Sequence, residues 1–479
     1  MRSLAAPTCT GAPECRTSSG PRMPNSYVLV TVPPSGPRPD TPQLTTVSDR
    51  PGADCNCARP LSDRCATGVT AVVETVDSFP CRTPEAAMNS SALSGYAFDL
   101  ERSTGVGPRT STLREHLTGQ LQRLLDAADV TCSWASDAVR LLPALLGPVA
   151  GRPLGAGPPS PSFVSDDHSP AELSVSFASD GVPTVRVLVE PGCGARTVAD
   201  SGRAGLRALH RMASCWNVDA EPVARVKDLF LPAAARGPFS LWCALDLRRS
   251  GPPGVKAYLN PEAHSGDRAA EVVEEALTRF GFGPAWPALT ARAASWCPDR
   301  GRLLFFALDL GHWQEPRVKL YIAHQGFSVE EAEAVAGLLP GGTPQRVGDF
   351  CRTVGGGARR FDRLPLVSCL SFTRRDRERP SGHTLHVPVR DYARDDCVAR
   401  DRAAAVLGAH GGGGTALLDK ALAAMTPRRL SDGVGLISYV SLARSTAGPP
   451  RVTVYLSPEA YAIHPPHDLP RDTALGEGA

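Results

Sequence analysis

The chain has no apolar run near the roughly 18 residues that cross a bilayer as a helix, and its start lacks the apolar core of a secretory signal. A soluble, cytoplasmic protein is expected. An excess of one charge is also missing, since 51 Lys and Arg stand against 49 Asp and Glu, a formal net charge of +2. That balance offers no electrostatic footprint for DNA, RNA or an anionic membrane surface, so neither nucleic acid nor membrane is an expected partner. The 14 cysteines contain no C-x-x-C pair of the kind that makes a zinc site. Six of them (Cys9, Cys15, Cys55, Cys57, Cys65, Cys81) fall in the first hundred residues and the rest are scattered singly. Reduced, mostly buried thiols are expected, and no metal. The glycine run at 411–414 lacks the Gly-Lys-Ser/Thr of a phosphate-binding loop and reads as a flexible link between helices.

By length, 479 residues allow two or three domains or one large repeat-built domain. Residues 1–107 are dense in Pro, Gly, Ser, Thr and Arg, a composition that cannot offset the entropy of ordering. Disorder is expected there, as a non-native extension preceding a start at Met88 or as an Arg-rich transit peptide. From Ser111 the pattern changes: Leu113, Leu117, Leu121, Leu124 and Leu125 share one helical stripe. A folded domain is predicted over 108–466, followed by a flexible tail at 467–479.

Within that domain five paired β-runs recur, each closing on a triplet: Arg186-Val187-Leu188, Lys256-Ala257-Tyr258, Lys319-Leu320-Tyr321, Thr384-Leu385-His386 and Thr453-Val454-Tyr455. The third residues are 70, 63, 65 and 69 positions apart, the mark of a repeated supersecondary unit. Helical patterns lie between the pairs at 197–213, 267–279, 329–339 and 396–407. Short polar or Gly/Pro-rich links at 179–183, 248–254, 311–316, 374–382 and 445–450 make each pair a hairpin. Five hairpins give ten antiparallel strands, and flanking helices belong outside a closed sheet. A (β/α)8 barrel is disfavoured, because it needs single parallel strands alternating with helices.

A strand has period two, so the first and third residues of each triplet share a face. Arg317, Lys319 and Tyr321 then point one way while Val318, Leu320 and Ile322 meet the helices. A half-solvated strand would show the same alternation. Its recurrence in successive units, in a barrel of more than about eight strands, instead implies a polar cavity. Arg186, Lys256, Arg317 and Lys319 suit a diphosphate. Tyr258, Tyr321 and Tyr455 add π faces that attract a cation and exclude water. Holding an anion beside a carbocation is what ionisation of an allylic diphosphate requires.

The segments Asp166-Asp167-His168-Ser169-Pro170-Ala171-Glu172-Leu173-Ser174, Val185-Arg186-Val187-Leu188-Val189-Glu190-Pro191, Lys256-Ala257-Tyr258-Leu259-Asn260-Pro261, Arg317-Val318-Lys319-Leu320-Tyr321 and Val452-Thr453-Val454-Tyr455-Leu456 resemble the aromatic prenyltransferases of the dimethylallyltryptophan synthase type. The likeness runs over about residues 108–466, and the short loops resemble bacterial members. It implies an α+β fold, a ten-stranded antiparallel β-barrel built from five αββα repeats with helices outside (the ABBA or PT barrel). It further implies transfer of a dimethylallyl group from dimethylallyl diphosphate to an indole carbon, most simply of L-tryptophan, by metal-independent Friedel–Crafts alkylation. No cofactor is then required, and the partners are small molecules.

By the same resemblance Glu172 accepts the indole N–H, the four basic residues hold diphosphate and the three tyrosines form a carbocation shield. A surface carboxylate beside a turn is the plain alternative for Glu172. Thr384 and His386 stand where many relatives carry Gln and Tyr, and Asn260 where some have another aromatic, so the shield is expected to be weaker there. His386 is a candidate proton acceptor, or a structural histidine bonded to a tyrosine or phosphate. Arg248 stands nearest the lysine given this task in fungal relatives, but stays protonated. Water and the departing diphosphate remain as alternatives. No Asp-Asp-x-x-Asp clamp for magnesium occurs, since Asp166-Asp167 and Asp395-Asp396 lack a third partner. Another aromatic acceptor (tyrosine, a cyclic dipeptide, a polyphenol) and a non-catalytic anion-binding barrel are the rival readings.

Overall fold

The computed structural model describes residues 110–469 except 179–180, 297–300, 312, 314, 340, 342–343, 411–413 and 447, with backbone alone at 292–296. The expectations for residues 1–107 and for most of the tail lie outside the described residues. Ten strands close into an antiparallel barrel: β1 (Ala171–Ala178), β2 (Thr184–Val189), β3 (Leu241–Leu247), β4 (Gly254–Leu259), β5 (Gly301–Leu310), β6 (Val318–His324), β9 (Leu366–Phe372), β10 (Gly382–Val387), β11 (Ile437–Ser445) and β12 (Gly448–Leu456). The short strands β7 (Phe327–Ser328) and β8 (Arg360–Phe361) pair separately. β12 returns to β1, with Ser174 opposite Tyr455, so the barrel has no open edge.

Every predicted hairpin forms, with shifts at the turns. β11 and β12 run into the expected 445–450 link, whose prolines enter the start of β12. Arg317 lies just before β6 rather than within it. Each crossover carries more helix than the sequence pattern suggested, for example Val329–Ala336 followed by Pro344–Val354.

Local chemistry starts these helices. Thr112 and Glu115 form a reciprocal capping box at Leu113–Ala127, worth about 1 kcal/mol. The five stripe leucines of that helix are 0–1% exposed. At Val198–Trp216 the Thr197 side chain accepts from Asp200 N. That helix lies so close to the barrel that a Cβ on Gly205 would stand 2.4 Å from Leu241. The core sits between helices and the outer barrel face, where Val187, Ala257, Leu320, Leu385 and Val454 join the helix leucines in one cluster. This is why the polar members of the triplets face the axis.

Among the described residues no helix is long and apolar enough to cross a membrane. Seven cysteines there are free thiols, four of them buried and only Cys215 and Cys397 exposed, in line with the expectation of mostly buried thiols. The chain stays bonded past the last strand, His467 N donating to Arg394 O at 2.7 Å.

Candidate active site

The barrel interior holds two adjoining spaces that share Glu172, Leu188, Tyr258, Tyr321, His386 and Tyr455 as walls. The polar one, about 80 Å³, collects all four predicted cations. Arg186 Nε lies 3.1 Å from Asp246 Oδ1, and Lys256 Nζ donates to the same oxygen. Arg317 Nε donates to Asp309 Oδ2 at 2.6 Å, and Lys319 Nζ donates to Asp309 Oδ1. Burial opposes charge on both carboxyls, but Arg186 and Lys256 hold Asp246, and Lys319 and Arg317 hold Asp309, below the usual range. Burial, reinforced by Arg186, lowers Lys256; burial, reinforced by Arg317, lowers Lys319.

Sequence reasoning missed both aspartates and Arg451. A signal for the former was present: Ala-Leu-Asp-Leu occurs at 244–247 and again at 307–310, at the spacing of Tyr258 and Tyr321. Arg451 lines the same space with no ion-pair partner among the described residues, its Nε unbonded. Burial, then Arg186 and Arg317, push its guanidinium down to about 10. At the polar end Trp313 carries Arg248, Lys256 and Arg317 at 5.0, 5.2 and 5.3 Å from its ring.

The second space, about 420 Å³, is largely apolar. Phe239, Trp242 and Phe305 pack together along one wall. Between the two spaces runs an arc of rings: Tyr258 to Tyr321 at 5.8 Å, Tyr321 to His386 at 5.9 Å, His386 to Tyr455 at 5.5 Å. The gap expected at Thr384 and His386 is filled by the imidazole. Burial raises all three phenols, so they stay protonated. His386 Nδ1 meets the Val367 carbonyl at 3.1 Å, which puts the ring proton there, and leaves Nε2 to accept from Tyr455 Oη at 3.1 Å. Burial pushes this imidazole down to about 4. Asn260 is no wall aromatic but a brace, bonded to Phe239 O and Glu262 N.

Glu172 projects from β1 into both spaces. Its bonded partner is Ser438 Oγ, 3.3 Å from Oε2, and burial pushes the carboxyl up to about 8. Its neighbours Asp166 and Asp167 are structural: Asp166 pairs with Arg390, and Asp167 accepts from Ser169 and Tyr461 N. Asp395 caps a helix and Asp396 bonds Arg428 and three backbone N–H groups. Toward the opposite side, Arg302 Nε donates to Glu262 Oε1 at 2.6 Å. Arg302 faces inward because β5 bulges between Leu303 and Phe305, which puts residues three apart on one face.

An antiparallel ten-stranded barrel enclosing a cationic pocket under an aromatic arc defines a prenyltransferase barrel. Residues 114–416 match the tryptophan dimethylallyltransferase family. The chain belongs to that family, as a bacterial-type member. It is 47% identical to prenyltransferase PriB, solved as a ternary complex with L-tryptophan and dimethylallyl thiolodiphosphate (75% of this chain, 99% of that one, TM-score 0.70). It is 45% identical to 5-dimethylallyltryptophan synthase from Streptomyces coelicolor (74% and 100%, TM-score 0.69). It is 40% identical to 6-dimethylallyltryptophan synthase from Micromonospora olivasterospora (74% and 100%, TM-score 0.68).

Proposed function

We propose that this chain transfers the dimethylallyl group of dimethylallyl diphosphate to a ring carbon of L-tryptophan by Friedel–Crafts alkylation, without a required metal. The observation that carries this reading is the charge of the polar space: Arg186, Lys256, Arg317, Lys319 and Arg451 outnumber Asp246 and Asp309 by three. That matches a fully ionised prenyl diphosphate. As the C–O bond breaks, charge builds on the diphosphate oxygens, and preorganised N–H donors stabilise it away from bulk water.

The allyl cation is left against Tyr258, Tyr321 and Tyr455, whose neutral rings offer π faces and keep water out. The indole enters the apolar space, and Glu172 accepts its N–H. That hydrogen bond strengthens as the ring attacks and positive charge spreads onto nitrogen. Arg302 and Glu262 at the wall supply opposite charges for the α-carboxylate and α-ammonium of a free amino acid, which favours tryptophan over a cyclic dipeptide or polyphenol. The ring proton leaves through Tyr455: its oxygen takes that proton while its own passes to His386 Nε2, and the imidazolium so formed, disfavoured by burial, returns a proton through Tyr455 Oη to an oxygen of the departing diphosphate beside Arg186, the final acceptor.

The test is incubation of the purified chain with L-tryptophan and dimethylallyl diphosphate, with and without EDTA, with the product assigned by NMR. Equal yields of a carbon-prenylated tryptophan are expected. No product in either arm, or product only without EDTA, overturns the corresponding half of the reading.

A further inference from the structure

β11 carries a bulge at the mouth end of the barrel, where Ile437 is opposite Leu456 and Tyr439 is opposite Tyr455, leaving Ser438 unpaired between them. The extra residue is held firmly. Asp396 accepts from Gly435 N, Leu436 N and Ile437 N just before it, and is itself bound by Arg428. Ser438 Oγ is thereby brought to 3.3 Å from Glu172 Oε2 and 3.3 Å from the Tyr455 carbonyl oxygen. No cation lies within ion-pair distance of Glu172 among the described residues. We propose that Ser438 is a positioning residue for Glu172, aiming the carboxyl at the indole N–H and setting the pH at which it becomes an acceptor.

The argument is one of proton count. A hydroxyl has one proton and two lone pairs. When Glu172 is protonated, its O–H donates to Ser438 and Ser438 donates to the Tyr455 carbonyl, so both serine contacts are used. When Glu172 is ionised, the serine proton turns to the carboxylate and leaves the carbonyl. The switch keeps the carboxyl in one place in either state, and the bond to the charged form eases ionisation against burial. Across the limb near pH 8 the other groups acting on Glu172 hold their charge: Asp166, which burial pushes up to about 6, is already ionised there and is opposed by Arg390 beside it, Tyr258, Tyr321 and Tyr455 stay protonated, Tyr439 borders the same wall, His386 is neutral and Arg186 is tied to Asp246.

This inference rests on Glu172 being the indole acceptor, and the experiment separates the two. The pH profile of kcat/KM for L-tryptophan is measured for the parent, Ser438→Ala, Ser438→Thr and Glu172→Gln, alongside 1-methyltryptophan, which has no indole N–H. In Ser438→Ala the rising limb should move about 0.5–1 pH unit to higher pH, with roughly a three- to tenfold loss at pH 7. Ser438→Thr should restore the parent limb, and with 1-methyltryptophan parent and Ser438→Ala should coincide. A limb unmoved in Ser438→Ala, or moved equally with 1-methyltryptophan, overturns the role of Ser438. A fully active Glu172→Gln overturns instead the reading of Glu172. Turnover of dimethylallyl diphosphate without acceptor and the melting temperature report whether any variant has lost its fold.

Discussion

At the residue scale the chamber works by setting the charge state of each group. Glu172 is pushed up to about 8 by burial, so the free protein holds it mostly protonated at neutral pH and ionised above. Because the ionised form is the acceptor, kcat/KM for tryptophan should rise with pH to about 8 and then level, and Glu172→Gln should flatten the profile. The same variant should lower kcat about 10²–10³-fold while leaving diphosphate affinity near that of the parent. Inhibition by inorganic diphosphate, measured next to turnover, checks both. Of the five cations lining the polar space, Arg451 is the one without an ion-pair partner among the described residues, so its bonding is free for the donor. Arg451→Met should raise the KM for dimethylallyl diphosphate about 10–100-fold, as expected for one charge-assisted bond. An unchanged donor KM would remove it from the diphosphate set.

At the scale of the element, the barrel strands carry two chemistries on one backbone. Inward positions hold the chamber, while outward positions pack under helices, and a few polar residues are caught on the outer side. His324 and His383 are two of these, both buried and pushed down to about 3 by that burial. A base with a depressed folded pKa is bound by more protons in the unfolded chain below pH 6.5. The stability it contributes is therefore complete above pH 6.5 and falls as pH drops from there toward 3. Each should cost about 1.4 kcal/mol per pH unit in that window. His324 Nε2 has no bonded partner, and the ring stacks on Phe327 at 4.2 Å. His324→Phe should therefore keep the packing and lessen the acid loss, read from melting temperatures at pH 7, 6 and 5. The same acid slope in the variant would refute this.

The strands, hairpins and inward cations were legible because alternation is a local property. A residue two positions along a strand returns to the same face whatever the strand pairs with. Asp246 and Asp309 escaped notice because each sits in the first strand of its hairpin, inside a run of aliphatic residues. The bulges at Leu304 and Ser438 were not legible at all, since a bulge is a count against the partner strand. Helix ends were partly legible: the patterns expected to open at 197 and 329 start at Val198 and Val329, behind the caps Thr197 and Ser328, while the extra helix in each crossover carried no separate signal.

For the whole molecule, closure of the sheet is what turns five similar hairpins into one site. Separate hairpins would offer their cations and rings to water; ten strands in a ring point them at one axis. The solved relatives match three quarters of this chain at nearly their full length. A chain starting at residue 108 should accordingly keep the melting temperature and turnover of the full one, measured side by side. A fall of more than about twofold in either rate or affinity would give residues 1–107 a part in the site.

Composition and period two were enough to specify a barrel with basic and phenolic side chains on its inner face, because both act between residues a few positions apart. Which oxygen meets which nitrogen was settled only by folding. Glu172 and Ser438 are 266 positions apart, and their contact depends on β12 lying between β1 and β11 in one register. The charge state of the site follows from that register, since burial and the nearest charge, not residue type, set where each group ionises.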